Sequence, residues 1–170
     1  MNNSEIFAVL RTQLADIKEI PAPELAPNAP AHEGKPYRDP HLYLSCPKEK
    51  WLELARILKG DERLSFDFLT MVTAADYLKP EPRMDVIYHL FSLKHKHYLV
   101  VKVQVPRDGG IVPSVISLWK TADWQEREVY DMYGIRFSDH PNCTRILMWD
   151  DFPGWPMRKD FVHVPDRYDD

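Results

Sequence analysis

The 170-residue sequence has no long hydrophobic run: nothing in it approaches the roughly 20 apolar residues that a membrane-spanning helix requires, which argues against an embedded chain. Cysteine is scarce. Cys46 and Cys143 lie far apart and belong to no C-x-x-C pair, so neither a disulfide framework nor a zinc knuckle is indicated, and a reducing compartment fits. Strong charge of one sign is missing as well. A net charge of -4 is too slight for electrostatic capture of nucleic acid or of an acidic membrane surface, which points to a protein or small-molecule partner. The chain also lacks a G-x-G-x-x-G turn, a Walker loop, a G-x-S-x-G elbow, an H-E-x-x-H pair and an iron–sulfur cysteine array. A dehydrogenase with a cofactor site of its own is therefore disfavoured.

What is present suits one globular domain: 44% hydrophobic and 28% charged residues in a length that can bury a real core. Residues 1–20 carry Ile6, Val9, Leu10, Leu14 and Ile17 at three- and four-residue intervals, which predicts an amphipathic helix. With Glu5, Arg11, Asp16 and Lys18 inside that pattern, it does not read as a signal peptide. Residues 21–40 hold six of the 15 prolines, a density that forbids regular helix or central strand and predicts a linker or an extended arm.

Residues 41–139 have the texture of an α/β core. A short strand at HLYLSC precedes a helix that begins near Pro47, turns Trp51, Leu54, Ala55 and Leu58 to one face and stops at Gly60. Three β-type runs follow, LSFDFLTMVTAADY, MDVIYHLFSL and HYLVVKVQV, the last two separated by a break short enough for an antiparallel hairpin. In the middle run Val86, Tyr88 and Leu90 alternate with Asp85, Ile87 and His89, so both faces are partly apolar and helices are expected over at least one. TADWQEREVYDMYG predicts a helix over 121–133 that Gly134 ends, with Asp123 and Glu126 spaced as a capping box. The fold class expected is α+β: a small mixed, largely antiparallel sheet covered by helices. Residues 140–170 are rich in turn signals and poor in core positions. Ordering each residue costs ~1–2 kcal/mol of backbone entropy, so this extended C-terminal tail is expected to dock on another protein.

The densest charged cluster is Glu126, Arg127, Glu128 and Asp131. Helical spacing would bring Glu128 near Asp131 and let Arg127 meet Asp131. An acid/base pair is one reading; a structural ion-pair network is the plainer one, because no His, Cys or Ser nucleophile stands nearby in sequence. Trp124 and Tyr130 favour an interface, where aromatic residues and arginine are the usual anchors. His95 and His97 invite a metal reading, yet Lys94 and Lys96 flank them and no acidic or cysteine ligand accompanies them. A solvated turn fits better.

The run ADWQEREVYDMYGIRFSDHPNCTRILMWDDFPGWPMRKDF resembles the signature of the complex I thirty-kilodalton family, the C subunits of NADH-quinone oxidoreductases. The matching positions are Glu126, Arg127, Glu128, Asp131, Met132, Tyr133, Gly134, His140, Pro141, Arg145, Ile146, Leu147, Gly154, Pro156, Arg158, Lys159 and Asp160. Cys143, Thr144 and Trp155 depart from the family pattern. The likeness covers residues 84–161 well and 41–83 loosely.

That resemblance implies a scaffold subunit in the peripheral arm of a proton-translocating enzyme, on the cytoplasmic side of the inner membrane and reaching the membrane only through the complex. It implies partners: the quinone-site (D) subunit and the iron–sulfur (B and I) subunits, with FMN, iron–sulfur clusters and quinone held by partner subunits and none in this chain. Trp124, Glu126, Arg127, Glu128, Asp131, His140, Pro141, Arg145, Arg158, Lys159 and Asp160 are then expected at a subunit interface, with no catalytic residue in the chain. Related ferredoxin-dependent photosynthetic complexes and membrane-bound hydrogenases are the alternative. From other classes, a free-standing interaction module and a small enzyme using Glu128 or Asp131 as base also stand.

Overall fold

The computed structural model describes residues 1–23 and 41–162; most of the proline-rich stretch and the last residues of the expected tail lie outside them. Helix α1 (Asn3–Gln13) opens on a capping box, Asn2 accepting from the Glu5 backbone while the Glu5 side chain accepts from the Asn2 backbone. It is shorter than its apolar pattern predicts. The backbone becomes extended at Leu14, because strand β1 (Lys18–Glu19) pairs with Ser45 and Leu44 of strand β2 (Leu42–Cys46). Leu14 and Ile17 are buried all the same, from outside the helix.

Helix α2 (Lys48–Gly60) buries Trp51, Leu54, Ala55 and Leu58 as their spacing predicts. Pro47 sits one position before the helix, and the end is closed by the Asp61 N–H donating to Ile57 O rather than by a left-handed glycine. Strands β3 (Phe68–Tyr77), β4 (Arg83–Ser92) and β5 (His97–Pro106) then form an antiparallel meander. The sheet order is β1-β2-β5-β4-β3, with β2 and β5 the parallel pair within it. This is the mixed, largely antiparallel α+β sheet expected.

Val86, Tyr88 and Leu90 of β4 pair with Val103, Val101 and Leu99 of β5 and share the buried face. Trp51 of α2 lies 4.1 Å from the Tyr88 ring, centroid to centroid, and Ile6 and Leu10 of α1 join the same core. Two very short strands, β6 (Ile111–Pro113) and β7 (Arg136–Ser138), pair in parallel on either side of helix α3 (Ala122–Tyr133). At three residues each, one with a proline, they give no periodic signal in the sequence. Gly134 ends α3 at φ +77°, its N–H donating to Tyr130 O.

Helix α3 packs along β3, the outer strand of the sheet. Its polar side chains satisfy part of that free edge: Thr121 Oγ1 donates to Leu69 O at 3.2 Å, and Gln125 Oε1 accepts from the Val72 N–H. An edge strand with open backbone groups invites pairing with other chains. Here the helix blunts it.

Candidate functional site

The four charges that the sequence groups together on α3 are sent to four different places. Ala122, Glu126 and Val129 fall at helical spacing on the buried side, so Glu126 enters the core instead of capping the helix with Asp123. Its carboxylate accepts from the Ser114 hydroxyl at 2.6 Å and the Val115 N–H at 2.9 Å, which pins the loop after β6 against α3. Burial pushes its pKa up to about 7 despite those two hydrogen bonds. The position of Glu126 between two apolar residues on one helical face was the sequence signal for that burial.

Asp131 is buried too, but it faces the tail. Its Oδ2 accepts from the backbone N–H groups of Ile146, Leu147 and Met148 at 3.0, 2.7 and 2.9 Å. Its Oδ1 takes the Arg145 guanidinium at 2.7 Å. Burial alone would raise its pKa; the Met148 N–H, the arginine and the other two N–H groups outweigh it, and the carboxyl is held below its usual range. Arg145 also donates to Asp131 O, Phe152 O and Gly154 O, and lies 4.4 Å over the Trp155 ring. One carboxylate and one guanidinium thereby organise residues 145–155, a segment with little apolar core of its own.

The expected Arg127–Asp131 pair does not form. Arg127 donates to Thr144 O, Thr144 Oγ1 and Arg145 O and stacks 5.0 Å over Trp124, which is 64% exposed. Asp131, with its backbone donors and Arg145, has no need of a second cation. His140 accepts from the Asn142 N–H at Nδ1, so Nε2 carries the proton and donates to Asp123 O at 3.1 Å. It ties the turn containing exposed Pro141 to the first turn of α3, and is not placed as a base.

A second clamp closes the far end of the tail. Arg107 holds Asp76 through two bonds of 2.9 and 3.0 Å and also holds Asp160. Asp76 Oδ2 accepts the Lys159 N–H at 2.8 Å. Arg158 donates to Tyr133 O, Asp108 and Arg107 O. Arg158, Lys159 and Asp160, expected at a subunit interface, here fasten the tail within the chain, through Asp76 and Arg107, partners that sequence reasoning missed. No local spacing connects those residues.

Trp155 roofs the junction. It lies 5.3 Å edge-on to Tyr130, and a Cβ on Gly134 would stand 2.5 Å from its ring. Gly134 is therefore required twice, by its positive φ and by this close approach. Thr144 supplies two acceptors to Arg127, and Cys143 is half-buried against the core.

His95 and His97 stack at 5.5 Å, yet both ring Nε2 atoms lie on backbone carbonyls, of Glu62 and Leu64. They hold the β4–β5 turn to the loop after α2. No group of three or more potential ligands capable of holding a metal occurs among the described residues. The two thiols do not suit a cluster: Cys46 is buried in β2 with its pKa raised to about 12 by burial and neighbouring acids, and burial raises Cys143 as well.

An α+β domain in which Arg127 and Asp131 of the charged cluster fasten its own tail, and whose tail and α3 display Trp124, Leu147, Trp149 and Met157 to solvent, has the make-up of an assembly subunit. The family described as respiratory-chain NADH dehydrogenase, 30 Kd subunit, matches residues 44–167, and the chain belongs to that family. Among its relatives, the NADH-quinone oxidoreductase C subunit of Citrifermentans bemidjiense is 48% identical over 121 residues, 71% of this chain and 74% of that protein. The C 2 subunit of the same enzyme from Rhizobium meliloti is 45% identical over 117 residues, 69% of this chain and 64% of that protein. Among solved structures, the trypsin-resistant fragment of Nqo5 superposes with a TM-score of 0.62 at 28% identity, covering 84% of this chain and 99% of the fragment. No described helix is long and apolar enough to cross a membrane.

Proposed function

We propose that this chain is a non-catalytic peripheral-arm subunit of a proton-translocating NADH:quinone oxidoreductase, a complex I translocase, in which it scaffolds the quinone-site subunit. The observation that carries the reading is the occupancy of Asp131: four donors surround its buried carboxylate and hold it ionised, which makes it a poor base for a substrate proton. Glu126 is enclosed in the core, and Arg127 and Arg145 are committed to backbone carbonyls. What these residues build is a surface, α3 with the tail folded over its end, that presents aromatic and apolar side chains for docking.

On this reading the neighbours are the quinone-site (D) subunit and the iron–sulfur (B and I) subunits. FMN, clusters and quinone reside in partner subunits, and the chain lies on the cytoplasmic side of the inner membrane, attached only through the complex. The names of the relatives support NADH as donor and quinone as acceptor, ahead of the photosynthetic or hydrogenase alternatives.

The test replaces the gene with an Arg127→Ala or Asp131→Ala variant and separates the complex on a native gel. The expected result is less assembled enzyme, with near-normal quinone reduction per flavin in what does assemble. Full assembly with intact iron–sulfur signals and most quinone reduction lost would assign these residues to the coupling chemistry instead.

A further inference from the structure

Glu128 is the exception in its cluster. Glu126, Arg127 and Asp131 all have hydrogen-bond partners within the chain, whereas Glu128 is exposed and makes no hydrogen bond or ion pair with the described residues. It stands at a notch of about 130 Å³ between β3, α3 and the tail, lined by Val72, Thr73, Val129, Met132, Tyr133 and Met157 besides Glu128 itself. Met157 is 55% exposed at its rim.

The notch is mainly apolar in its walls, with the Glu128 carboxylate at its edge. Burial raises the pKa of the half-buried Tyr133 phenol, and the charges of Asp76 and Glu128 raise it further. Two cations of the described tail are engaged elsewhere: Arg158 reaches Tyr133 O, Asp108 and Arg107 O, and Lys159 Nζ lies over the Tyr77 ring. A carboxylate without a partner among the described residues, beside a slot mainly of aliphatic and thioether side chains, matches a long aliphatic stem ending in a cation.

We propose that this notch receives an arginine or lysine side chain of the docked partner subunit, its stem lying along Val72, Val129, Met132 and Met157 and its charge meeting Glu128. The assignment rests on the docking reading above and names the chemistry of the partner at that site. It separates two roles within one motif. Glu126, Arg127 and Asp131 build the surface, and Glu128 reads the partner.

The experiment uses the assembled complex, purified from cells in which the gene carries the native sequence, Glu128→Gln, Glu128→Lys or, as a control on another exposed carboxylate, Glu62→Gln. Retention of this chain in the complex is followed as sodium chloride is raised. Loss of one charge-assisted contact predicts about ten-fold faster release for Glu128→Gln, greater loss for Glu128→Lys, and native behaviour for Glu62→Gln. Unfolding of the isolated Glu128→Gln chain should match the native chain.

Absence of the native chain from the complex would overturn the docking reading and this inference together. A native chain present, with Glu128→Gln held as tightly throughout the titration, would overturn the inference alone. So would a lowered unfolding midpoint of the isolated variant, because Glu128 would then be holding the fold.

Discussion

Asp131 and Arg145 hold each other at 2.7 Å across a reversal of the chain, one from the last turns of α3 and the other from the tail that folds back over it. Asp131 is fully buried and Arg145 nearly so, and each is completed by backbone groups of the opposite segment. Removing one member of such a buried pair leaves the other uncompensated and typically costs ~3–5 kcal/mol. Asp131→Ala should lower the stability of the full chain by that order, measured by urea unfolding. Asp131→Asn retains an acceptor for the N–H groups but loses the charge, and should fall between.

The dependence of stability on pH follows from opposed shifts. Arg107 holds the Asp76 carboxyl below its ordinary range, and the tail donors do the same for Asp131. Both contribute stability that is present above the unfolded carboxylate pKa and lost on acidification. Glu126 works the other way. Its folded pKa of about 7 lies above its ordinary 4.5, so between those values the unfolded chain releases a proton that the folded chain keeps, and stability falls as pH rises. The urea midpoint should therefore peak near pH 5 and decline toward neutrality. Glu126→Gln should remove about 3 kcal/mol of that decline, and an unchanged decline in the variant would refute the assignment.

Much of this fold is legible in the sequence where a local period carries it. Trp51, Leu54, Ala55 and Leu58 define α2, and Val86, Tyr88 and Leu90 define the buried face of β4, because burial repeats at the spacing of the element itself. Gly134 marks the end of α3 for the same kind of local reason. The tail is different. Asp76, Arg107 and Asp160 are brought together from positions 31 and 53 residues apart, and no periodicity records such a pairing. The Arg127–Asp131 expectation relied on helical proximity alone; backbone donors arriving from residues 146–148 decided the outcome. Low apolar content in residues 140–170 predicts order supplied by a partner. Within the described part of that segment, two arginine–aspartate clamps add fastening from the chain itself.

Gly134→Ala introduces both a disfavoured positive φ, ~1 kcal/mol or more, and a clash with the Trp155 ring. Combining it with Trp155→Ala relieves only the clash. The double variant should be more stable than the sum of the two single losses predicts, as read from thermal unfolding of all four proteins.

Arg107→Ala breaks the second clamp without touching the first. Protease cleavage after Arg158 and Lys159 should accelerate, while cleavage after Arg145 stays slow. Equal acceleration at all three sites would show that the two clamps form one cooperative unit.

On the proposed function the chain builds its own docking surface before a partner arrives. Amide hydrogen exchange at Ile146, Leu147 and Met148 reads that order, because all three N–H groups donate to one oxygen of Asp131. In the isolated full-length chain these amides should exchange slowly, and Asp131→Ala should abolish their protection while leaving β4 and β5 protected. Exchange at the free-chain rate in the isolated native protein, with protection appearing only in the assembled complex, would make the partner, and not Asp131, the source of order in the tail.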